Sequence, residues 1–315
     1  MVSRTKIGKL SVGDLILRYT SFLMALTLIG IMVWIGVSMF RSAGASIFRF
    51  GPAFITNKIW DPVKEQFGAL TFIYGTLVTS LIALVLAGLV GVGVAIFLNE
   101  IAAAKVKVTV SFLVELLAAI PSVVYGLWGI FVLAPILRNH VEPWLGKWLG
   151  FLPQFQGKPF GLDMLAGGLI LAIMILPTVA AISREVMATV PIAQREAALA
   201  LGATKWEMIR IAVLPFAKSG ILGGIMLGLG RALGETMAVT MVIGNRPEIL
   251  PSLFSPAYSM ASVIANEFTE ASYDLYLSAL VEIGLILFAI TLVLNALARL
   301  LVWSVARGPK GGHIN

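Results

Sequence analysis

Six stretches of this chain are long and apolar enough to cross a membrane. They lie at about 21–40, 68–98, 110–137, 164–183, 219–243 and 277–305. Each is near or above the roughly 20 residues that a helix needs to cross hydrocarbon. No water reaches backbone N–H and C=O groups there, so each run must close its own hydrogen bonds as a helix. The expected fold class is therefore an all-α membrane protein with six transmembrane helices. Composition agrees, with 59% of residues hydrophobic and 12% charged, against about 25% charged in a soluble domain.

An even number of spans places both termini on one side. That side then carries fourteen of the 23 Lys and Arg residues, the other side carries eight, and Arg231 lies inside a span. The positive-inside rule puts the termini and the polar segment 184–218 in the cytoplasm. It also accounts for the net charge of +7 without a nucleic-acid partner. There are no cysteines, which excludes disulfides, thiolate catalysis and Cys-ligated metals. The two histidines, His140 and His313, stand apart from other good metal ligands, so no metal site is expected. The basic N-terminus leads into an apolar run reaching Phe40. That run is longer than a signal-peptide core and lacks a small-residue cleavage site, so it reads as a retained first span.

Residues 1–66 form an N-terminal cytoplasmic segment, the first span and an external piece in which Trp60, Asp61 and Pro62 mark the interface. Residues 67–306 form a five-helix core, and 307–315 a basic tail. Pro121 interrupts the third span, because proline removes a donor from the helical ladder. A polar, aromatic loop is expected over 138–163. The external segment 244–277 carries Met260, Val263, Ile264 and Phe268 at helical spacing. Asn266, Glu267 and Glu270 argue against a seventh span, so this is expected to be a short helix at the outer surface. No inverted repeat is evident.

Segment 184–218 is too polar to span and too rich in helix formers to be a slack loop. Gly202 interrupts it, which predicts two short helices joined by a turn. Pro215 marks the expected entry to the fifth span. Such a knob suits a groove on another protein or a bed of lipid headgroups. The residues alone leave both open.

Residues 196–215, EAALALGATKWEMIRIAVLP, resemble the EAA loop of ABC-importer permeases. The pattern falls on Glu196, Ala197, Ala198, Gly202, Ile211, Leu214 and Pro215. The segments AAIPSVVYGLWGIFVLAP (118–135), GRALGETMAVTMVIGN (230–245) and ASVIANEF (261–268) are similar to phosphate-importer permeases of the PstC type. The first span and 41–66 match that family only in layout. The resemblance implies the type I importer permease fold (MetI-like) in the inner membrane, with the knob docking into an ABC ATPase dimer (PstB type). It further implies a heterodimer with a PstA-type permease and an external phosphate-binding protein (PstS type). ATP and Mg would bind the partner ATPase and no cofactor this chain, which lacks a Gly-x-x-x-x-Gly-Lys-Ser/Thr phosphate loop.

In the fifth span Gly224, Gly228, Arg231 and Glu235 fall on one helical face. Gly220, Gly224 and Gly228 form a small-xxx-small series that admits a close neighbour. Arg231 sits about 13 residues past the cytoplasmic start, ~20 Å in, near mid-bilayer. Four residues apart, Arg231 and Glu235 are spaced to pair. Given the resemblance, Arg231 is expected to be the transient anion site, since its planar fork of donors suits phosphate oxygens. Glu235 would neutralise Arg231 when the site is empty, or accept a hydrogen bond from monohydrogen phosphate. The alternative is a buried ion pair that fixes packing between two permeases. Ser122, Tyr125, Thr236 and Thr240 are candidate hydroxyl donors to the anion, with bonding to helix backbone as the alternative. Glu115 and Glu282 are given no role.

Two other classes are weighed. An autonomous channel or ion-coupled transporter would use Arg231 and Glu235 as a gate or proton relay, but leaves the Glu-Ala-Ala loop without purpose. An intramembrane enzyme lacks a cysteine or a histidine inside a span. Among importers, a molybdate or sulfate permease would share the docking loop but is not expected to carry GRALGETMAV.

Overall fold

A computed structural model describes residues 12–306. The readings made for 1–11 and for the tail 307–315 lie outside the described residues. The chain runs α1 (Val12–Ser42), α2 (Gly44–Phe50) and α3 (Ala53–Thr56), then α4 (Leu70–Ile101) and α5 (Ala104–Ala119). There follow α6 (Ser122–Leu149), α7 (Met164–Ala188), α8 (Ile192–Ala200) and α9 (Lys205–Leu233). The chain ends with α10 (Met237–Val242), α11 (Met260–Glu267) and α12 (Asp274–Ala306). Six of these, α1, α4, α6, α7, α9 and α12, are long and apolar enough to cross a membrane.

Helix α7 is the centre. It packs along α4 on one side and α9 on the other, and Ala166, Ile170, Met174, Ile175 and Val179 are fully or almost fully buried. Small residues let these backbones close up. A Cβ on Gly91 of α4 would sit 3.0 Å from Val179. Helix α1 rests on α12 and is exposed along almost its whole length, as a lipid-facing span must be. At the outer end Phe54, Phe67, Phe72, Tyr258 and Met260 form an apolar cap. There the Glu267 carboxylate accepts from Trp60 Nε1 at 2.7 Å and from the Tyr276 hydroxyl at 2.6 Å.

Three expectations are corrected. The run at 110–137 is two helices, because the backbone turns extended at Ile120 and Pro121. The loop expected at 138–163 begins only after Leu149, since α6 continues that far. Helix α11 is the short helix expected in 244–277, and its first turn packs into the outer cap, with Met260, Ser262 and Val263 fully buried. The fifth span does not start at Pro215 or run to Ile243: α9 is helical from Lys205 and stops at Leu233, and α10 is a separate turn.

Two of these involve proline or glycine acting in unexpected ways. Wide π-helical turns at Gly129–Leu133, Leu137–Val141 and Ile209–Val213 each stand just before a proline, Pro135, Pro143 and Pro215. A wide turn spaces the donors so that the missing proline N–H leaves no clash in the ladder. The helix therefore continues where proline would otherwise end it. Glycine ends α9 instead, at Gly234.

Candidate functional site: the cytoplasmic knob and the Arg231 cavity

The segment between α7 and α9 is a knob. Helix α8 ends at Leu201, and Gly202 takes φ +86°, a left-handed conformation that side chains disfavour. The Ala203 N–H returns to the Ala198 carbonyl at 3.2 Å. Thr204 and Glu207 then cap α9 reciprocally. Ala198, Met208, Ile209 and Val213 turn inward onto Met187 and Val190. Glu196, Ala197, Gly202 and Pro215 are exposed and Leu214 is half-buried. Beside them Leu201 is 90% exposed and Trp206 59%, so the knob presents apolar side chains at its surface.

Arg195 fixes this knob to the spans, and the sequence reading missed it. Its Nη1 donates to the Val190 carbonyl at 2.7 Å, and its Nη2 donates to the Met187 carbonyl at 2.8 Å and to Glu100 Oε1 at 3.0 Å. Glu100 closes α4 and also accepts from Asn99 at 2.7 Å. One guanidinium thus ties α8 to the ends of α7 and α4. Glu115 gains a partner in a second link, where Arg184 of α7 meets it at 3.6 Å and also bonds Ser111 of α5.

The glycine series faces α7 of the same chain. A Cβ on Gly224 would meet Ile182 at 3.0 Å and one on Gly228 would meet Val179 at 3.1 Å, while Gly220 abuts Val186. The close contact sits inside one subunit, not between two.

Arg231 lies near the end of α9, is exposed in this chain, and lines a cavity of about 470 Å³ with Thr178, Leu227, Gly230 and Asn295. Glu235 does not pair with it. The four ion pairs found among the described residues lie elsewhere. Glu235 falls beyond the break at Gly234, where its Oε1 accepts from the Ala238 N–H at 3.4 Å and caps α10. The shared helical face assumed an unbroken helix that glycine interrupts.

The hydroxyls are mostly engaged with backbone. Pro121 lacks the N–H that would reach the Leu117 carbonyl, and the Tyr125 hydroxyl donates to that carbonyl at 2.7 Å. Thr236 donates to the Gly234 carbonyl at 3.2 Å and Thr240 to the Thr236 carbonyl at 2.7 Å. Ser122 sits half-buried at the start of α6. Around Arg231, then, the structure gathers Thr178 and Asn295, and it leaves Tyr125 and Glu235 aside. Asn295 and Thr178 were not singled out from sequence. An amide ten residues before Val305, in a span, was the available signal.

At the opposite end of α7 from the knob an acid pair is buried. Asp163 caps α7 by accepting from the Ala166 N–H at 2.9 Å, and the Glu142 carboxyl meets it while accepting from the Gly161 N–H at 3.3 Å. Burial holds Asp163 above the ordinary carboxylate range, at about 6.

Residues 91–307 match the family described as binding-protein-dependent transport system inner membrane component. The chain is 44% identical over 303 residues to the phosphate transport system permease protein PstC of Mesorhizobium japonicum, covering 95% of this chain and 93% of that protein. It is 47% identical over 289 residues to the PstC protein of Haemophilus influenzae, covering 90% and 91%. Its fold aligns with a chain of a bacterial alginate ABC transporter, solved with an alginate pentasaccharide-bound periplasmic protein. There the TM-score is 0.62 at 17% identity, over 95% of this chain and 99% of that one. The chain belongs to the binding-protein-dependent transport system inner membrane components, among the PstC phosphate transport permeases.

Proposed function

We propose that this chain is the permease subunit of an ATP-driven inorganic phosphate importer, and that it supplies half of the translocation path and couples it to ATP hydrolysis. As a member of its family it is a multi-pass, non-catalytic subunit of the inner membrane. We read residues 67–306 as the permease core of type I (MetI-like) fold, with both termini cytoplasmic. The knob at 184–218 docks into an ABC ATPase dimer, which binds ATP and Mg. A PstA-type permease completes the path, and an external phosphate-binding protein delivers the ligand over 244–277. The alginate transporter solved with its periplasmic protein is a precedent for the last contact.

The observation that carries this reading is the knob's construction. It exposes Leu201 and Trp206 while Arg195 holds its other side to α4 and α7. A surface helix resting on lipid needs no such tie. In the cycle, ATP binding closes the ATPase dimer and moves the knob, the path opens outward, and phosphate is taken by Arg231. Hydrolysis resets the site inward. Glu235, spent on capping α10, shapes the backbone beside Arg231 instead of neutralising it.

The test is ATP-dependent phosphate uptake by vesicles holding the complete complex, wild type against Arg231→Gln. Uptake should collapse while the ATPase still co-purifies and keeps its basal activity. Unchanged uptake would remove Arg231 from the path, and failure of wild type to take up phosphate would overturn the substrate.

A further inference from the structure

Two cavities lie along the seam between α9 and α12. The outer one, about 470 Å³, holds Arg231. The inner one, about 490 Å³, holds Arg299 and reaches Trp303. They share two lining residues, Leu227 and Asn295, so they form one trough. Helix α9 rises from the cytoplasmic side and α12 descends to it. The trough therefore runs from Arg231 past Asn295 to Arg299, toward the cytoplasm.

Its chemistry suits an anion. Arg231, Asn295 and Arg299 line it, and no carboxylate does. Asn295 and Arg299 stand one turn apart on one face of α12, ~6 Å along the axis. Glycines keep it open on the α9 side. A Cβ on Gly223 would meet nothing within 4 Å, and one on Gly230 would come no closer than 3.8 Å, to Asn295 Oδ1. Asn295 is exposed in this chain about 15 Å from the cytoplasmic end of its helix. An amide at that depth is costly against lipid tails, where its hydrogen-bonding groups have no partner. It is at ease beside water or an anion, and its N–H₂ can donate to an ionised oxygen while its carbonyl accepts from a P–OH group.

We propose that this trough is the inward half of the phosphate path, with Asn295 handing phosphate from Arg231 to Arg299 before release. The inference rests on Arg231 being the anion site. It differs from a lipid-headgroup site, which the same phosphate chemistry and the interfacial Trp303 would also fit. The occupant here is inorganic phosphate in transit.

The test uses the complete complex. Asn295→Leu should lower ATP-dependent phosphate uptake about tenfold, the worth of one charge-assisted hydrogen bond, with the ATPase still bound. Asn295→Ser, which keeps a donor and acceptor, should recover most of it. A readout independent of transport uses the absence of cysteine from this chain. Asn295→Cys should react with an anionic, water-soluble methanethiosulfonate, and saturating inorganic phosphate should slow the reaction several-fold. Val293→Cys, on the opposite face of α12, should not react.

No reaction at Asn295→Cys, or no protection by phosphate, overturns the trough. So does phosphatidylglycerol that co-purifies with wild type, is lost in Arg299→Gln, and leaves labelling at Asn295→Cys indifferent to phosphate. If Arg231→Gln abolishes uptake while Asn295→Leu transports normally, the trough fails and the Arg231 reading stands. If Arg231→Gln transports normally, the hand-over from Arg231 fails together with the Arg231 reading, whatever the labelling at Asn295→Cys.

Discussion

Replacing Arg195 with methionine should uncouple the complex. The side chain is 18% exposed and its partner Glu100 is 7% exposed, so solvent screens the pair little. Three bonds are lost, two to main-chain carbonyls and one to the carboxylate. Glu100 keeps only its bond from Asn99. Breaking a buried pair on one side costs about 3 kcal/mol or more, on the order of a hundredfold in the equilibrium between a seated and a loosened α8. Methionine retains much of the apolar stem, so packing loss stays small. The assay measures ATP hydrolysis and phosphate uptake on the same vesicles. Arg195→Met should keep ATPase binding and basal hydrolysis while phosphate moved per ATP falls steeply. Arg195→Lys should lie between, since one ammonium cannot serve three acceptors in the geometry of the fork. The double variant Arg195→Met with Glu100→Gln should be less impaired than the sum of the single ones. A wild-type ratio of phosphate to ATP in Arg195→Met, or strict additivity in the cycle, refutes the reasoning.

Two further substitutions test local chemistry. Tyr125→Phe should keep phosphate uptake but destabilise the complex by about 1 kcal/mol, because the Leu117 carbonyl loses its 2.7 Å bond and keeps only the 3.4 Å one from the Ile120 N–H; adding Pro121→Ala, which restores an N–H, should recover part of that loss in thermal unfolding. If uptake collapses with stability unchanged, the hydroxyl serves the anion after all. Asp163 is raised by burial from 3.8 to about 6 in the folded chain. The folded state then binds more protons across that window, and the Glu142 carboxyl against Asp163 shares the titration, so stability should fall as pH rises through it and beyond. Asp163→Asn, which can still cap α7, should flatten the dependence when unfolding is compared at pH about 4 and about 7; an unchanged pH profile assigns it to other groups.

Composition and periodicity made the six spans readable, because hydrocarbon tolerates only helix and the runs are long. Gly202 and Pro121 also announced their breaks, each through a backbone property of one residue. What stayed hidden has physical causes. Hydropathy cannot see the stop at Gly234, since apolar residues continue on both sides of it. The extension of α6 to Leu149 was masked by polar residues beyond Leu137 and by Pro143, and the wide turn that accommodates that proline has no sequence signature of its own. Arg195 and Glu100 are 95 residues apart, so no local pattern pairs them. Arg231 stood out because an arginine in a span is expensive. Asn295 carries no charge and drew no notice until the fold set it against Gly230.

These contacts also limit how motion at the knob can reach Arg231. Arg195 binds α8 to α4 and α7, and the glycine series seats α9 on α7 with almost no spare distance at Gly224 and Gly228. Helix α9 itself is unbroken from the knob at Lys205 to Leu233. A pull on the knob therefore moves α4, α7, α8 and the lower part of α9 together, because close-packed helices shift as bodies and do not bend gradually. Relative motion is left to the places where the ladder is interrupted, at Ile120–Pro121 and at Gly234–Thr236, and to the open seam against α12. The seam borders Arg231 through Asn295, which lines the same cavity. The fold thus places its rigid parts between the knob and Arg231 and leaves the open seam beside that residue. A displacement of the whole body then changes the surroundings of Arg231 without deforming the helix that carries it.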